Sequence, residues 1–309
     1  MSNNQLISVV MSVYNDEKFL SDAIESILKQ SNGDFEFIIV NDGSTDNSAV
    51  IISSFQKLDK RIVFIDRKEN KGLPYSLNES IALAKGKYIA RMDSDDVAVE
   101  DRFEKQINFL ELRPDIDILG GQEALIDSKG LILKSSKKPL LFNKIKKSAE
   151  FVCPINHPTY MVKKNVYLTL GCYRDSFVYA QDYDFILRAI DYGFIIENMP
   201  DKLLYYRSFK NMHSTFKRQR QSYLARYALK LHKERVRDGI ESVRTLEKLK
   251  RTSFNAHVFF ALSWNLRNKV LRKKFPKYVS YVLAFLSSLL HYEVFNASLR
   301  GFLYAKYKR

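Results

Sequence analysis

The chain has 309 residues, of which 46% are hydrophobic, so its composition excludes an intrinsically disordered protein and allows one large domain plus an appendage. The net charge is +15 but unevenly spread: residues 1–210 carry 28 Lys and Arg against 30 Asp and Glu, whereas residues 211–309 carry 22 against 5. The basic excess therefore belongs to the C-terminal region, and the rest of the chain is close to neutral.

The first 120 residues alternate between strand and helix patterns. Apolar strands are predicted at 7–14, 35–40, 61–66 and 88–92, and helices at 17–29, 48–58, 74–86 and 100–112. Near-continuous apolar strands separated by amphipathic helices predict a parallel α/β sheet that is covered on both faces. Ligands of such sheets bind beyond the carboxyl ends of the strands, and Tyr14, Asp42, Asp66 and Asp93 all fall at those ends.

Residues 121–207 have a mixed pattern. A hairpin is predicted around 127–130, followed by a basic linker, a helix at 182–192 and a strand at 202–206. From about residue 214 the pattern is helical and strongly basic. The sequence thus predicts three segments, 1–120, 121–213 and 214–309, of which the first two form one α/β domain.

The segment Arg91–Asp96 places three carboxylates directly after the fourth predicted strand. Carboxylates this close repel one another unless a cation lies among them, and Mg²⁺ or Mn²⁺ prefers oxygen ligands of this kind. Asp93 and Asp95 are therefore candidates for holding a metal-bound diphosphate, with a solvated acidic turn as the alternative. Arg91 lies between the strand and the carboxylates, and it could pair either with them or with the ligand that they bind.

The segment 41–48 follows the second predicted strand and opens a helix. Gly43 allows a tight turn there, and the next three residues are suitable helix N-caps. Asp42 has no capping role, so its carboxylate could accept a hydrogen bond from a base edge; a plain Asx turn is the alternative. Neither G-x-G-x-x-G nor G-x-x-x-x-G-K-[ST] occurs, which argues against a dinucleotide site and against a P-loop.

Together these motifs resemble glycosyltransferase family 2, a large family of inverting enzymes with the GT-A fold. The resemblance is carried, in the family's order, by Val9–Asn15, Val40–Asp46, Asn70–Leu73, Ala90–Asp96, Asn156–Thr159, Gln181–Asp184 and Leu204–Arg207. It implies a bacterial surface-polysaccharide enzyme with a nucleotide-sugar donor, usually UDP-linked, and Mn²⁺ or Mg²⁺ on the diphosphate. A hexosyl or N-acetylhexosaminyl group would pass with inversion to a glycan or lipid-linked glycan acceptor. Residues 1–120 would bind the donor and residues 121–213 the acceptor.

The resemblance also implies roles for the residues at the strand ends. Tyr14 and Asp42 are implied to hold the nucleoside, Tyr14 by packing against the base. Asp93 is implied to meet the ribose or the water shell of the metal, and Asp95 to ligate the metal. Arg91 is counted with the nucleotide-binding residues. The alternative for Tyr14 is an aromatic residue packed in the core at the end of its strand.

The resemblance places the general base at Asp182, the second residue of what is usually a Glu-Asp pair. An inverting displacement needs such a carboxylate to take the proton of the acceptor hydroxyl. Gln181 stands where relatives have the first acid, which removes a like charge and should leave the pKa of Asp182 less raised. Asp184 lies two residues further on and is expected to point elsewhere and to cap the helix.

Two histidines are further candidates. His157 could contact the acceptor or the donor, although a lone histidine is more often structural. Relatives often carry a histidine after the Tyr-Arg pair that can approach the metal, and this chain has Phe209 there. His213 could replace that histidine; the alternative is that the metal relies on Asp95, phosphates and water.

The basic region 214–309 has three interpretations. Nucleic-acid binding would need a groove-reading motif, and none is present, so we expect no nucleic-acid partner. A solvated helical face is the plain alternative. We favour peripheral attachment to an anionic membrane surface, because basic residues alternate there with aromatic and leucine-rich stretches and many acceptors of the family are lipid-linked.

Several features predict a cytoplasmic protein at the inner face of the cytoplasmic membrane. No apolar run reaches the roughly 18–20 residues that a spanning helix needs, and the nearest is Tyr278–Leu290. The N-terminus has no basic n-region, so we expect no signal peptide. Cys153 and Cys172 lack metal-ligand spacing and are expected to be reduced and buried.

Two other functions remain as alternatives. A sugar nucleotidyltransferase also uses an α/β sheet and Mg²⁺, but it would need a glycine-rich basic loop after the first strand, where this chain has Ser12–Asn15. A non-catalytic module that binds glycans or nucleic acid would have no need for Asp42, Asp95 and Asp182 together.

Overall fold

The computed structural model of the protein describes residues 6–208 and 215–242, with side chains from residue 220 onward in the second range. The described residues form two compact units, 6–149 with 153–208 and 150–152 with 215–242. All candidate site residues that the structure describes belong to the first unit.

The first unit is built on a mixed sheet. Its strands are β1 (Ile7–Val13), β2 (Phe35–Asp42), β3 (Ile62–Arg67), β4 (Tyr88–Asp93), β5 (Val97–Ala98), β6 (Ile118–Ile126), β7 (Ile132–Ser135), β8 (Met161–Lys163) and β9 (Ile196–Arg207). Its helices are α1 (Glu17–Leu28), α2 (Ser48–Leu58), α3 (Leu73–Leu83), α4 (Arg102–Leu112), α5 (Phe142–Ala149), α6 (Lys164–Leu170) and α7 (Gln181–Tyr192). Within the described residues these strands form one sheet in the order β3-β2-β1-β4-β8-β6-β9-β5, with β7 paired to β6.

The predicted parallel sheet of the first 120 residues is confirmed. Strands β1 to β4 pair in parallel, and β1 and β2 are almost wholly buried because helices cover both faces. Val13 pairs with Asn41 and Ser12 pairs with Asp93, so the carboxyl ends of β1, β2 and β4 lie side by side. The element bounds differ from the predicted ones by one or two residues, apart from the third helix, whose predicted end lies three residues beyond Leu83.

The second half of the domain contains more structure than its sequence pattern predicted. The hairpin around 127–130 is present as β6 and β7, but the basic linker after it contains α5, whose buried face is Ile145, Ser148 and Ala149. The final strand begins at Ile196 rather than at residue 202. Pro200 interrupts its apolar pattern and lies at an irregularity of the β6–β9 register, where a residue without an N–H is tolerated.

The second unit contains one described helix, α8 (Thr215–Asp238), which agrees with the basic helical pattern predicted from residue 214. The remainder of the predicted region, from residue 243, lies outside the described residues. Among the helices that the structure describes, none has the length and hydropathy to cross a bilayer. Cys153 and Cys172 are both free thiols, as expected, but they are partly exposed and not buried.

Candidate active site

An acidic cluster lies at the end of β4. Asp93 is the last residue of the strand, and Asp95 and Asp96 follow in the turn that leads to β5. One carboxylate oxygen from each of the three lies within 4.8 Å of the others. Burial, followed by the charges of Asp93 and Asp16, raises the pKa of Asp95 to about 7. The pKa of Asp96 is raised well above its ordinary value by burial and by the charges of Asp93 and Asp95.

The donor set of this cluster fits a hard divalent cation. All its ligand atoms are carboxylate oxygens, which Mg²⁺ and Mn²⁺ prefer. Asp96 accepts a hydrogen bond from the backbone N–H of Arg207 at 2.8 Å through one oxygen, while its other oxygen is buried without a hydrogen-bond partner among the described residues. A cation would reduce the repulsion among the three carboxylates and would give the buried Asp96 oxygen a partner. We therefore regard Asp93, Asp95 and Asp96 as the candidate metal ligands.

A divalent cation is expected to stabilise the protein more at pH 8 than at pH 5.5. The folded-state pKa of Asp95 is raised to about 7, so the metal-free protein loses stability as the pH rises towards 7, because ionisation of Asp95 in the fold is costly. Metal binding also requires ionised carboxylates. Added Mn²⁺ should therefore raise the Tm by on the order of 5 °C at pH 8 and by clearly less at pH 5.5. Equal shifts at both pH values in thermal unfolding would contradict this assignment.

Arg91 lies behind the cluster on β4 and is 2% exposed. Its guanidinium donates a hydrogen bond to Asp93. The sequence left open whether Arg91 pairs with the carboxylates or with their ligand, and the structure has the pairing with a carboxylate. Its Nε and Nη1 are buried without a partner among the described residues. Two donors of this buried cation therefore remain available to a ligand or a water molecule.

Arg102 is a component that the sequence analysis missed. This first residue of α4 is fully buried, and its Nη2 donates to the carbonyl oxygens of Arg91 at 3.0 Å and Tyr160 at 3.2 Å. Its Nε donates to Gln106 at 3.0 Å, and burial lowers its pKa to about 9. Arg102 thus holds the strand of the acidic cluster against the segment that carries His157. No sequence signal could have revealed this, because the contacted carbonyls are remote along the chain.

The ends of β1 and β2 form the other side of the candidate site. Tyr14 directly follows β1 and is 50% exposed, which excludes the alternative of a core aromatic residue. Asn15 has a positive φ of 54° and accepts a hydrogen bond from the Thr45 N–H at 2.8 Å. This contact fixes the loop after β2 against the end of β1.

Asp42 is buried and already has protein partners. One carboxylate oxygen accepts from Arg67 Nη1 and from the Lys71 N–H, both at 2.9 Å, and the other accepts from the Gly72 N–H at 2.8 Å. These bonds hold the turn before α3 beside the loop at Gly43, whose φ is +72°. An ionised carboxylate can accept about four hydrogen bonds, so one acceptor position is left for a ligand.

Asp182 is the second residue of α7 and is partly exposed. Burial raises its pKa, while the backbone N–H of Tyr183, the charge of Arg91 and, least, the nearby Cys153 thiol lower it. Gln181 adds no charge next to it, so the upward shift results from desolvation and not from a second acid. Burial and the proximity of Asp182 in turn raise the pKa of Cys153, whose thiol therefore stays protonated. Nothing in the sequence pattern indicates that Cys153 lies beside Asp182.

The prediction that Asp184 caps α7 was wrong. The helix begins at Gln181, with Ala180 at the N-cap, so Asp184 is already within the first turn. Its side chain is fully buried and accepts a hydrogen bond from Arg188 Nε at 2.9 Å, one turn along the helix. Asp184 therefore points away from Asp182, as expected, but it forms an internal ion pair and has no capping role.

The two histidine candidates have different outcomes. His157 is buried, and its Nε2 is 2.7 Å from the Tyr173 hydroxyl, which in turn lies 2.9 Å from the Tyr167 hydroxyl. Burial, together with the charge of Arg91, holds its pKa well below the ordinary value, so the ring is neutral. This packing favours the structural interpretation of His157. His213 and Phe209 lie outside the described residues.

Comparison with known proteins gives consistent matches. The family model described as Glycosyl transferase family 2 matches residues 8–168. The uncharacterized glycosyltransferase MJ1057 of Methanocaldococcus jannaschii is 39% identical over 230 residues, which is 74% of this chain and 79% of that protein. The O-antigen biosynthesis glycosyltransferase WbnJ of Escherichia coli is 37% identical over 205 residues, which is 65% of this chain and 79% of that protein.

Solved structures resemble the chain along almost its whole length. TarS 1–349 of S. aureus in complex with UDP has a TM-score of 0.57 at 17% identity, covering 97% of this chain and 91% of that chain. The mannosyltransferase PcManGT of Pyrobaculum calidifontis in complex with GDP-Man and Mn²⁺ has a TM-score of 0.59 at 15% identity, covering 98% and 86%. At these identities the likeness concerns the fold alone.

Proposed function

The chain belongs to glycosyltransferase family 2, and from that membership and its GT-A fold we propose an inverting, metal-dependent transferase that uses a nucleotide-sugar donor. The observation that supports this most directly is the position of Arg91. The buried guanidinium pairs with Asp93 of the acidic cluster and its charge also acts on Asp182. A candidate metal ligand and the candidate base are therefore both influenced by one internal cation.

In the proposed reaction, an acceptor hydroxyl attacks the anomeric carbon of the donor sugar. The bond between that carbon and the diphosphate oxygen breaks as the new glycosidic bond forms, and the configuration is inverted. The Asp182 carboxylate takes the proton of the attacking hydroxyl. Its raised pKa makes it a stronger proton acceptor than an exposed aspartate. The protonated Cys153 thiol lies beside this carboxylate and donates its own hydrogen bond to the Ile155 carbonyl at 3.4 Å.

We assign Asp95 as the main metal ligand, with Asp93 and Asp96 beside it. A bound Mn²⁺ or Mg²⁺ would neutralise the charge that develops on the departing diphosphate. The Mn²⁺ and GDP-Man of the PcManGT complex support a role of this kind in the same fold. From the sequence alone, His213 is a further candidate for a contact to the metal or diphosphate.

The donor nucleotide is proposed to lie along the ends of β1, β2 and β4, and to be UDP-linked. Half-exposed Tyr14 offers a ring face to the base, and Asp42 retains one acceptor position for an imide N–H. Asp93 and the free donors of Arg91 would face the ribose and diphosphate. The UDP bound to TarS supports this choice of nucleotide.

The product is proposed to be a bacterial surface polysaccharide or glycolipid, formed by transfer of a hexosyl or N-acetylhexosaminyl group to a glycan or lipid-linked glycan. The similarity to WbnJ, an O-antigen biosynthesis enzyme, and to AmsE of Erwinia amylovora, an amylovoran biosynthesis enzyme, supports this setting.

A panel of nucleotide sugars tests the proposal directly. The full-length protein is incubated with each donor, with and without Mn²⁺, and release of the nucleoside diphosphate is measured. We expect release with one donor or a few, and only with the metal. If every donor stays intact, a non-catalytic module is the better description. Formation of donor from a sugar phosphate and a nucleoside triphosphate would instead identify a nucleotidyltransferase.

We further propose that the basic region 214–309 attaches the protein to the inner face of the cytoplasmic membrane. Its charge excess, 22 basic against 5 acidic residues over 211–309, should attract anionic lipids. The full-length protein is therefore expected to sediment with anionic vesicles at low salt and to be released as salt screens the attraction. Equal recovery with neutral and anionic vesicles at low salt would refute the attachment.

A further inference from the structure

A second basic region lies within the catalytic unit itself, in the segment 128–149. It contains seven lysines and no acidic residue: Lys129, Lys134, Lys137, Lys138, Lys144, Lys146 and Lys147. All are exposed except Lys138, which is partly so. Among the described residues no carboxylate forms an ion pair with any of them. Two of them lie near single carboxylates, Lys129 near Asp127 and Lys138 near Glu123, so the segment keeps an excess of positive charge.

The same segment exposes large apolar side chains. Leu131, Ile132, Leu133 and Leu141 are each more than half exposed. All four residues of β7 are exposed, and this strand pairs only with β6 along the described sheet. Proteins rarely leave an apolar edge strand open to water, because it promotes association. Apolar and cationic side chains are thus exposed along one segment, and we call the exposed side chains of residues 128–149 the 128–149 surface.

This surface is firmly connected to the elements around Asp182. The Asn198 N–H donates to the carbonyl oxygen of Leu140 at 2.9 Å, and its side chain donates to that of Pro139 at 2.7 Å. At the end of α5, the carbonyl of Ala149 accepts a hydrogen bond from the Tyr183 hydroxyl at 2.5 Å. Tyr183 is the neighbour of Asp182 on α7. These hydrogen bonds join α5 and the residues before it to β9 and to α7, the helix that carries the candidate base.

We infer that the 128–149 surface docks the catalytic unit onto an anionic phospholipid bilayer. Seven lysines complement anionic headgroups, and exposed leucine and isoleucine side chains suit the apolar layer below them. A soluble polyanion would use the lysines but would leave the apolar residues in water. This inference deepens the proposed function and rests on it in one respect, that the acceptor is lipid-linked. A bilayer bound at the 128–149 surface would present such an acceptor to the domain that contains Asp182.

The test uses three full-length triple variants and vesicles of phosphatidylcholine with phosphatidylglycerol. The first is Lys144→Glu with Lys146→Glu and Lys147→Glu on α5. The second is Leu131→Ser with Ile132→Ser and Leu133→Ser. The control, Lys57→Glu with Lys60→Glu and Lys68→Glu, changes the net charge equally at exposed lysines outside the 128–149 surface. Thermal unfolding verifies that each variant is folded.

The first variant is expected to bind anionic vesicles on the order of 10²-fold more weakly than the control, from roughly one headgroup interaction per lysine. The second should weaken binding as well, and chiefly the part that persists at high salt. Metal-dependent release of nucleoside diphosphate in solution should be unchanged in both, which separates this inference from the proposed function. Equal weakening of vesicle binding by the first variant and the control would overturn the inference. Normal vesicle binding by the second variant would also overturn it, because a surface that uses only its charge fits a soluble polyanion.

Discussion

Replacing Asp182 with asparagine is expected to lower kcat by on the order of 10²–10⁴-fold while donor affinity stays nearly unchanged. Asparagine keeps the shape of the side chain but cannot accept the proton of the acceptor hydroxyl. Because the pKa of Asp182 is raised by burial, the wild-type kcat should fall as the pH drops through that raised pKa. The residual activity of Asp182→Asn should lack this pH dependence. Steady-state kinetics across pH, with donor binding by calorimetry, measures both effects.

The control for this experiment is Asp175→Asn, which removes an exposed carboxylate from the short turn Asp175–Phe177 that precedes α7. Asp184 is a poor control although it lies on the same helix. Its carboxylate is buried in an ion pair with Arg188, so Asp184→Asn would break that buried ion pair and destabilise the fold. Normal turnover by Asp182→Asn would show that the base lies elsewhere, and His157 would become the next candidate.

The donor half of the fold could be predicted because its signals are local. Strands β1 and β2 are buried on both faces, so they appear in the sequence as nearly continuous apolar runs. Once these strands are parallel, their register brings Asp42 and Asp93 to one edge without further information. The acidic cluster was also visible, since its three carboxylates are neighbours in the chain.

The rest of the site depends on contacts between remote parts of the chain. Arg102 reaches the Tyr160 carbonyl across 58 positions, and Cys153 meets Asp182 only after the mixed half has folded. Strand β9 was recognised only in part because Pro200 interrupts its pattern. The role of Asp184 was misjudged because it depended on where the helix begins, which patterns fix only to within a few residues.

Asp95→Asn is the second variant for which we expect a large effect, the loss of nearly all metal-dependent transfer. Without this carboxylate the cation loses its main ligand, so UDP binding should weaken in Mn²⁺ and remain unchanged in its absence. Asp34→Asn, an exposed carboxylate just before β2 and far from its carboxyl end, is the matched control. Equal UDP affinity in Mn²⁺ for the wild type and Asp95→Asn would refute the assignment of the metal site.

Thermal unfolding of Asp95→Asn separates loss of the metal from loss of the fold. Burial and the charges of Asp93 and Asp16 raise the pKa of Asp95 to about 7, so the ionised carboxylate destabilises the metal-free protein at pH 8. The variant removes that charge, so its metal-free Tm at pH 8 should exceed that of the wild type, whereas most buried substitutions lower it. Mn²⁺ should then add little further stability. An inactive variant that is more stable than the wild type, and no longer responds to the metal, has lost a ligand and kept its fold.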